Sequence, residues 1–433
     1  MHTVCTYSHH KPLNQVGQRH IYACISFSFS LCPGHMRIPL VVALLASVVA
    51  AALNDAQVDN SRVNAAVVDD DVFQVDNSRV NATTEATVRG IDGRLRTVDQ
   101  EATIQDDADT NRACHNQNSG YLATLQKGKY AASTFHNCFR TTDQIYEFLD
   151  KIVTQNSNVL TKFAVSRTFK GATIYGYKLS KSATATKSLY FQSLQHAREW
   201  IAGSSHLFTI ASLLDDVANN KPSPADTYNL IFVPIVNIDG YALTWNGNRY
   251  QRKNANQVDL NRNWPSLPNP RPPPPSDETY PGPRPFSEPE SKGIDGWLKA
   301  RRTELDGFVD IHSYGGLLLY PYGDTKSPIG SGYDAKFKTL GANLQRVMGA
   351  YKPQPVWNLY LAYGGFSDYA FREFKKPSFT IEVVGNDFAA PASTIRTRGK
   401  EVYNGVVQFS KEAVTFNRAA VAADGADIVD PAN

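Results

Sequence analysis

The chain has 433 residues, and its 44 basic and 41 acidic residues leave a formal net charge of +3. That near-balance excludes a binder whose affinity rests on charge alone, whether for nucleic acid or for a membrane surface. The length allows two or three domains, but strand and helix patterning fills only one stretch of under 300 residues, so one large domain with attachments is expected.

In chain order, residues 36–53 come first: Met36-Arg37 precedes an apolar or small run from Ile38 to Leu53. This reads as a secretory signal peptide, shorter in its apolar part than the roughly 20 residues a spanning helix needs. Residues 1–35 carry His, Cys and Ser without period, so they read as an extension upstream of the true start at Met36. The protein is then expected to be secreted and extracellular, with no stable membrane association after signal cleavage. Cys5, Cys24 and Cys32 fall upstream, leaving Cys114 and Cys138 in the mature chain. An even pair in a secreted protein is expected to form a disulfide contributing about 3 kcal/mol; two free buried thiols are the alternative.

Residues 54–128 read as an acidic, largely disordered pro-segment or linker. From Asn54 to Arg112 there are 13 acidic residues, 6 arginines and no lysine, with Phe73 the only aromatic, too little apolar surface to offset ordering entropy. VDNSRVNA occurs twice, at Val58–Ala65 and Val75–Ala82, and Asn81-Ala82-Thr83 is a glycosylation sequon.

A folded domain is expected over 129–418, followed by a flexible tail, 419–433. Thr142 or Asp143 can cap a helix with Ile145, Phe148, Leu149 and Ile152 at helical spacing. Strands are expected at Thr173–Leu179, Ser188–Leu194 and Tyr228–Val236, with a helix over Trp200–Leu214. The prolines of Pro265–Pro289 demand an extended surface loop. Strand Phe308–His312, helix Tyr333–Met348, strand Ser378–Val384 and a closing helix around Thr394–Val414 follow. Alternating strands and helices predict an α/β fold: one domain with a mixed, mainly parallel twisted β-sheet, covered by helices on both faces.

His196 and Glu199 lie three apart, directly after the strand-like run Ser188–Leu194. This is the carboxyl edge of a sheet, where α/β ligand sites occur. A catalytic zinc takes three protein ligands and leaves one position open, and His312, ending the run Phe308–Ile311, can be the third. Arg249, Arg252 and Arg262, with Asn261, are suited to carboxylates or oxyanions, or form a solvated face. Glu382 breaks the apolar run Ser378–Val384, so its carboxylate is expected to meet a cation or a cavity.

Taken together, HAREW at His196–Trp200, VDLNRNW at Val258–Trp264, IHSYGGLLLYPYG at Ile311–Gly323 and TIEV at Thr380–Val383 resemble the zinc metallocarboxypeptidases of the carboxypeptidase A type, over roughly Thr142 to Phe416. The resemblance implies a catalytic domain binding one Zn2+ per chain through His196, Glu199 and His312, with Glu382 and Arg252 catalytic. It implies that Asn261 and Arg262 clamp a substrate's terminal carboxylate, that Tyr360 closes over the bound residue, and that Arg198, Ser313 and Tyr314 sit at subsites. The implied activity is hydrolysis of the C-terminal bond of peptides and proteins by a zinc-activated water, with Glu382 as general base and then acid, in a monomer. A catalytically inactive peptide-binding relative is the alternative. In members that take basic residues, an acidic residue stands seven positions after the mobile tyrosine; here that position is Ser367, followed by Asp368. Preference for apolar or aromatic C-terminal residues is therefore expected. The segment Val383–Pro391 is shorter than in the family, and Phe388 is the candidate for the far wall of the pocket.

Overall fold

The structure is a computed structural model that describes residues 86–90 and 95–424, and only the backbone of Gln105 and of 419–424. The expected extension, signal peptide, both repeats, the sequon and the end of the tail lie outside the described residues. In chain order the elements are β1 (Thr87–Arg89), β2 (Leu95–Thr97), α1 (Val98–Gln105), α2 (Asp107–Gln117), α3 (Thr142–Gln155), β3 (Leu160–Arg167), β4 (Thr173–Leu179), β5 (Ser188–Ser193), α4 (Trp200–Ala218), β6 (Asn229–Val233), α5 (Ile238–Asn246), α6 (Pro289–Lys299), β7 (Leu305–Ser313), β8 (Leu317–Tyr320), α7 (Tyr333–Met348), β9 (Lys352–Pro355), α8 (Phe366–Phe374), β10 (Ser378–Val383) and α9 (Ile395–Asp424).

Eight strands form one sheet in the order β3-β4-β6-β5-β7-β10-β8-β9. The central run β6-β5-β7-β10 is parallel, β3 and β4 pair antiparallel with their neighbours, and β8 runs antiparallel to β10 and parallel to β9. All six residues of β5 and all nine of β7 are buried, as strands covered on both faces must be. On one face α4 packs against both the sheet and α9, which explains why this helix is apolar nearly all round and buries sixteen of its nineteen residues. The mixed, mainly parallel α/β sheet is as expected.

Several boundaries differ from the pattern. The cap of α3 is Thr141, whose hydroxyl accepts from the Gln144 N–H while the Gln144 side chain accepts from the Thr141 N–H; Ile145, Phe148, Leu149 and Ile152 are its buried face. The chain from Pro265 to Glu288 has no strand or α-helix, as its prolines require. It is pinned by Asn263, which donates to the carbonyls of Pro281 and Arg284, and by Lys253, which donates to those of Pro275 and Asp277.

The clearest correction concerns the segment before Lys129. Composition predicts that it is disordered, yet β1, β2, α1 and α2 form there, and the Cys114–Cys138 disulfide, as expected from the cysteine count, ties α2 to the chain before α3. Likewise the first residues of the expected tail, 419–424, continue α9.

Candidate metal centre and substrate cleft

β5 ends in a tight turn at Leu194, whose left-handed φ of 57° sends the chain across the sheet edge before α4 begins. His196 lies in that turn and Glu199 is the N-cap of α4, where the helix dipole favours a carboxylate. His312 is the penultimate residue of β7, and its partner in the parallel register of β10 is Glu382. Two adjacent strands and one helix terminus thus bring the four residues together.

All three expected ligands are buried, at 4%, 2% and 1% exposure for His196, Glu199 and His312. The Nδ1 atoms of the two histidines approach to 3.0 Å. Glu199 lies 2.8 Å from the first Nδ1 and 2.9 Å from the second. One ligand atom from each residue falls within 4.8 Å of the other two. The opposite nitrogens are fixed by carboxylates, His196 Nε2 by Asp259 at 3.0 Å and His312 Nε2 by Asp310 at 2.7 Å. With Nε2–H donated outward, both Nδ1 lone pairs converge with a carboxylate on one point. This donor set fits a divalent cation, and His2Glu with an open position fits zinc.

The same contacts set the electrostatics of the site. Burial alone would raise the Glu199 carboxyl, but His196 and His312 outweigh it and hold the group well below the carboxylate range. Burial would lower His312, but Asp310 and Glu199 on either side hold it well above an ordinary histidine. Glu382 shows the reverse: burial, then the charge of Glu199, pushes its carboxyl up to about 8, against the opposing pull of His312 and Arg252. A carboxyl poised in this range is suited to accepting and returning a proton.

Ten of the twelve expected site residues line one cavity of about 300 Å³; His312 and Arg198 are not in its lining, though His312 adjoins the lining residue Glu199 and Arg198 the lining residue Phe388. Arg252 donates from Nε to Asp259 at 2.8 Å and from Nη1 toward His196 Nδ1 at 3.3 Å. Burial costs this guanidinium, but Asp259 and Glu199 keep it firmly charged. Arg262 donates to the Tyr360 hydroxyl at 3.0 Å, and Asn261 accepts from the Phe366 N–H at 2.8 Å. Gly364 closes this loop: its φ is +75°, and a Cβ there would lie 2.0 Å from the Arg262 carbonyl oxygen, so only glycine fits. Tyr360 itself is 56% exposed. The Ser313 N–H donates to Glu199 at 3.1 Å.

Opposite, Tyr314 packs edge-on against Phe388 at 4.9 Å, and the Arg198 guanidinium lies 4.0 Å over the same ring. Phe388 stands in the cavity wall beside Tyr314. Leu317, Leu319, Val356 and Thr380 also line the cavity, together with Ser367 and Asp368. The Asp368 carboxylate accepts from the Gly323 and Asp324 N–H groups at 2.7 and 3.3 Å, and burial pushes it up to about 7.

Asp259 and Asp310 have no marked role in the sequence, yet each fixes one of the two expected histidine ligands. Asp310 carries the same signal as Glu382, a carboxylate within a wholly buried strand.

The family model described as zinc carboxypeptidase matches residues 145–405. Carboxypeptidase A1 of Rattus norvegicus is 31% identical over 303 residues, covering 64% of this chain and 70% of that protein. Carboxypeptidase A5 of Homo sapiens is 28% identical over 294 residues, covering 62% and 66%. Among solved structures, a carboxypeptidase A from Helicoverpa armigera superposes with a TM-score of 0.64 at 24% identity, covering 74% of this chain and 83% of that one.

Proposed function

This chain belongs to the zinc carboxypeptidase family and is a metallocarboxypeptidase; from that premise we propose that it is a secreted monomer that removes apolar or aromatic residues from the C-termini of peptides and proteins. The observation that carries the reading is one cavity holding the ligand cluster, the Glu382 carboxyl and the Asn261-Arg262 pair. Among the described residues no helix is long and apolar enough to cross a membrane.

His196, Glu199 and His312 would hold zinc, which when bound supplies Lewis acidity toward the scissile carbonyl and the attacking water. Glu382 accepts the proton of that water and returns it to the departing amine. Arg252, oriented by Asp259, donates hydrogen bonds to the carbonyl oxygen as it gains negative charge. Arg262 and Asn261 bind the free terminal carboxylate, and Tyr360, already hydrogen-bonded to Arg262, moves with it. An internal peptide bond presents no such carboxylate, which restricts the reaction to the last residue.

The side-chain pocket is walled by Leu317, Leu319 and Val356 with Ser367 neutral. Asp368 takes both backbone donors on Oδ2 while Oδ1 meets no hydrogen-bond donor among the described residues, and burial, which raises its pKa to about 7, weakens its appeal to a cation. A buried Lys or Arg there would lack a committed counter-charge. N-acylated dipeptides ending in Phe or Leu are expected to be cleaved with kcat/KM on the order of tenfold or more above those ending in Lys or Glu, and the corresponding C-terminal amides not at all. Preferred release of Lys would refute the pocket assignment. Cleavage of the amides would refute the carboxylate clamp.

A further inference from the structure

The segment preceding the family match makes three contacts with the residues that surround Phe388 in the cleft wall. Arg96, 7% exposed, pairs with Asp387 at 3.1 Å and with Glu101 at 3.4 Å, its guanidinium 5.0 Å over the Tyr250 ring. Ile104 is buried in a small cluster with Tyr250 and Phe388. Asp107 accepts from Arg249 Nε at 2.7 Å. Within the segment itself, Asn111, 1% exposed, accepts from the Phe139 N–H at 3.1 Å.

Arg249 is the hub of these contacts. It is 3% exposed and lies 3.8 Å over the Trp200 ring, and its Nη atoms donate to the carbonyls of Arg198 and Phe388, both at 2.9 Å. One planar fork therefore ties the turn that bears His196 and Glu199 to the loop that bears Phe388. The carboxylate paired with that buried guanidinium is Asp107, on α2. A buried cation is strongly dependent on its counter-charge.

We propose that residues 96–117 are a permanent positioning segment of the enzyme, which holds Phe388 in the cleft wall through Asp107 and Arg249 and stays covalently attached, through Cys114 within it and Cys138 beyond it, after any cut between those two cysteines. The sites for such a cut are Lys127 and Lys129, both exposed in a stretch without strand or α-helix, while Cys114–Cys138 spans them. The segment touches no zinc ligand side chain, so its effect falls on how the cleft receives the residues upstream of the scissile bond. The assignment rests on the peptidase reading of that cleft.

The test is Asp107→Asn in the full-length chain, assayed on an N-acylated tetrapeptide and an N-acylated dipeptide. KM for the tetrapeptide is expected to rise about tenfold, with kcat and zinc content within about twofold of wild type; an unchanged tetrapeptide KM in the folded variant overturns the positioning role. Where Asp107→Asn does not fold, Arg96→Ala carries the same comparison, with KM raised about threefold. For the tether, a lysine-specific endopeptidase is applied to the native enzyme and the product weighed. The segment should remain in the non-reduced product and separate after reduction and denaturation; release by denaturation without reductant overturns the tether. If wild type cleaves no peptide, the peptidase reading fails, while a thermal midpoint lowered by Asp107→Asn and the tether mass still report on the segment, and unchanged values refute it.

Discussion

Glu382→Gln is expected to retain zinc at one per chain while kcat falls about 10²–10⁴-fold. Glutamine keeps the shape of the side chain and removes only its ability to take a proton. Because Glu382 stands opposite His312 in the parallel register but is outside the three-residue ligand cluster, the metal donors are untouched. Zinc content and single-turnover rate measured on the same sample decide the matter. Undiminished turnover would remove Glu382 from the proton transfer.

The same variant yields a pH signature in the chelated protein. The Glu382 carboxyl sits at about 8 in the fold against an ordinary 4.5, chiefly through burial. A raised value means that the folded state holds the proton more tightly than the unfolded chain. Its stabilising contribution is thus complete below about 4.5 and disappears as pH rises through about 8. Wild type is expected to lose stability relative to Glu382→Gln across that window, measured as the difference in thermal midpoint. A constant difference from pH 4 to 9 would show that the carboxyl is not held in its neutral form.

The second large effect is expected for the metal. Chelation should abolish release of C-terminal residues, and added zinc should restore it; His312→Ala should lose both zinc and activity irreversibly. The geometry explains why one ligand suffices to break the site. Changing an outer carboxylate that orients a ligand costs about 10–100-fold in metal affinity, and removing the ligand itself costs more. In addition, Asp310 and Glu199, now 2.7 and 2.9 Å from the His312 nitrogens, would face each other with their shared partner gone. Activity that survives exhaustive chelation would refute a metal-dependent reaction.

Much of this site can be read along the chain because its parts sit where secondary structure changes. Helix Tyr333–Met348 and strand Thr173–Leu179 fall where the pattern predicts, since each has a clean period and a well-marked end. Strand Leu160–Arg167 escapes the pattern: it is an edge strand with a register shift between Ala164 and Ser166, so its burial does not alternate. Helix Ile238–Asn246 is short and begins after Asn237, whose side chain caps the Gly240 N–H, a signal masked by the strand-like run before it. The roles of Asp259 and Asp310 depend on which nitrogen of a distant histidine they meet, which spacing does not encode. The order of residues 95–117 depends on a few long-range anchors, Asp107 to Arg249, Ile104 to Phe388 and Cys114 to Cys138. Composition averages over a segment and gives no weight to single anchors.

The pairing of Glu382 with His312 across β10 and β7 also sets how this enzyme can be altered. The separation of base from ligand is inherited from the ~4.8 Å spacing of neighbouring strands, a dimension fixed by backbone hydrogen bonds. The loops that carry Tyr360, Phe388 and the prolines hang from the sheet without entering that measure. They behave as exchangeable fittings on a calibrated frame: substrate taste can be retuned by replacing them, while the spacing of the reacting groups stays as the sheet has set it.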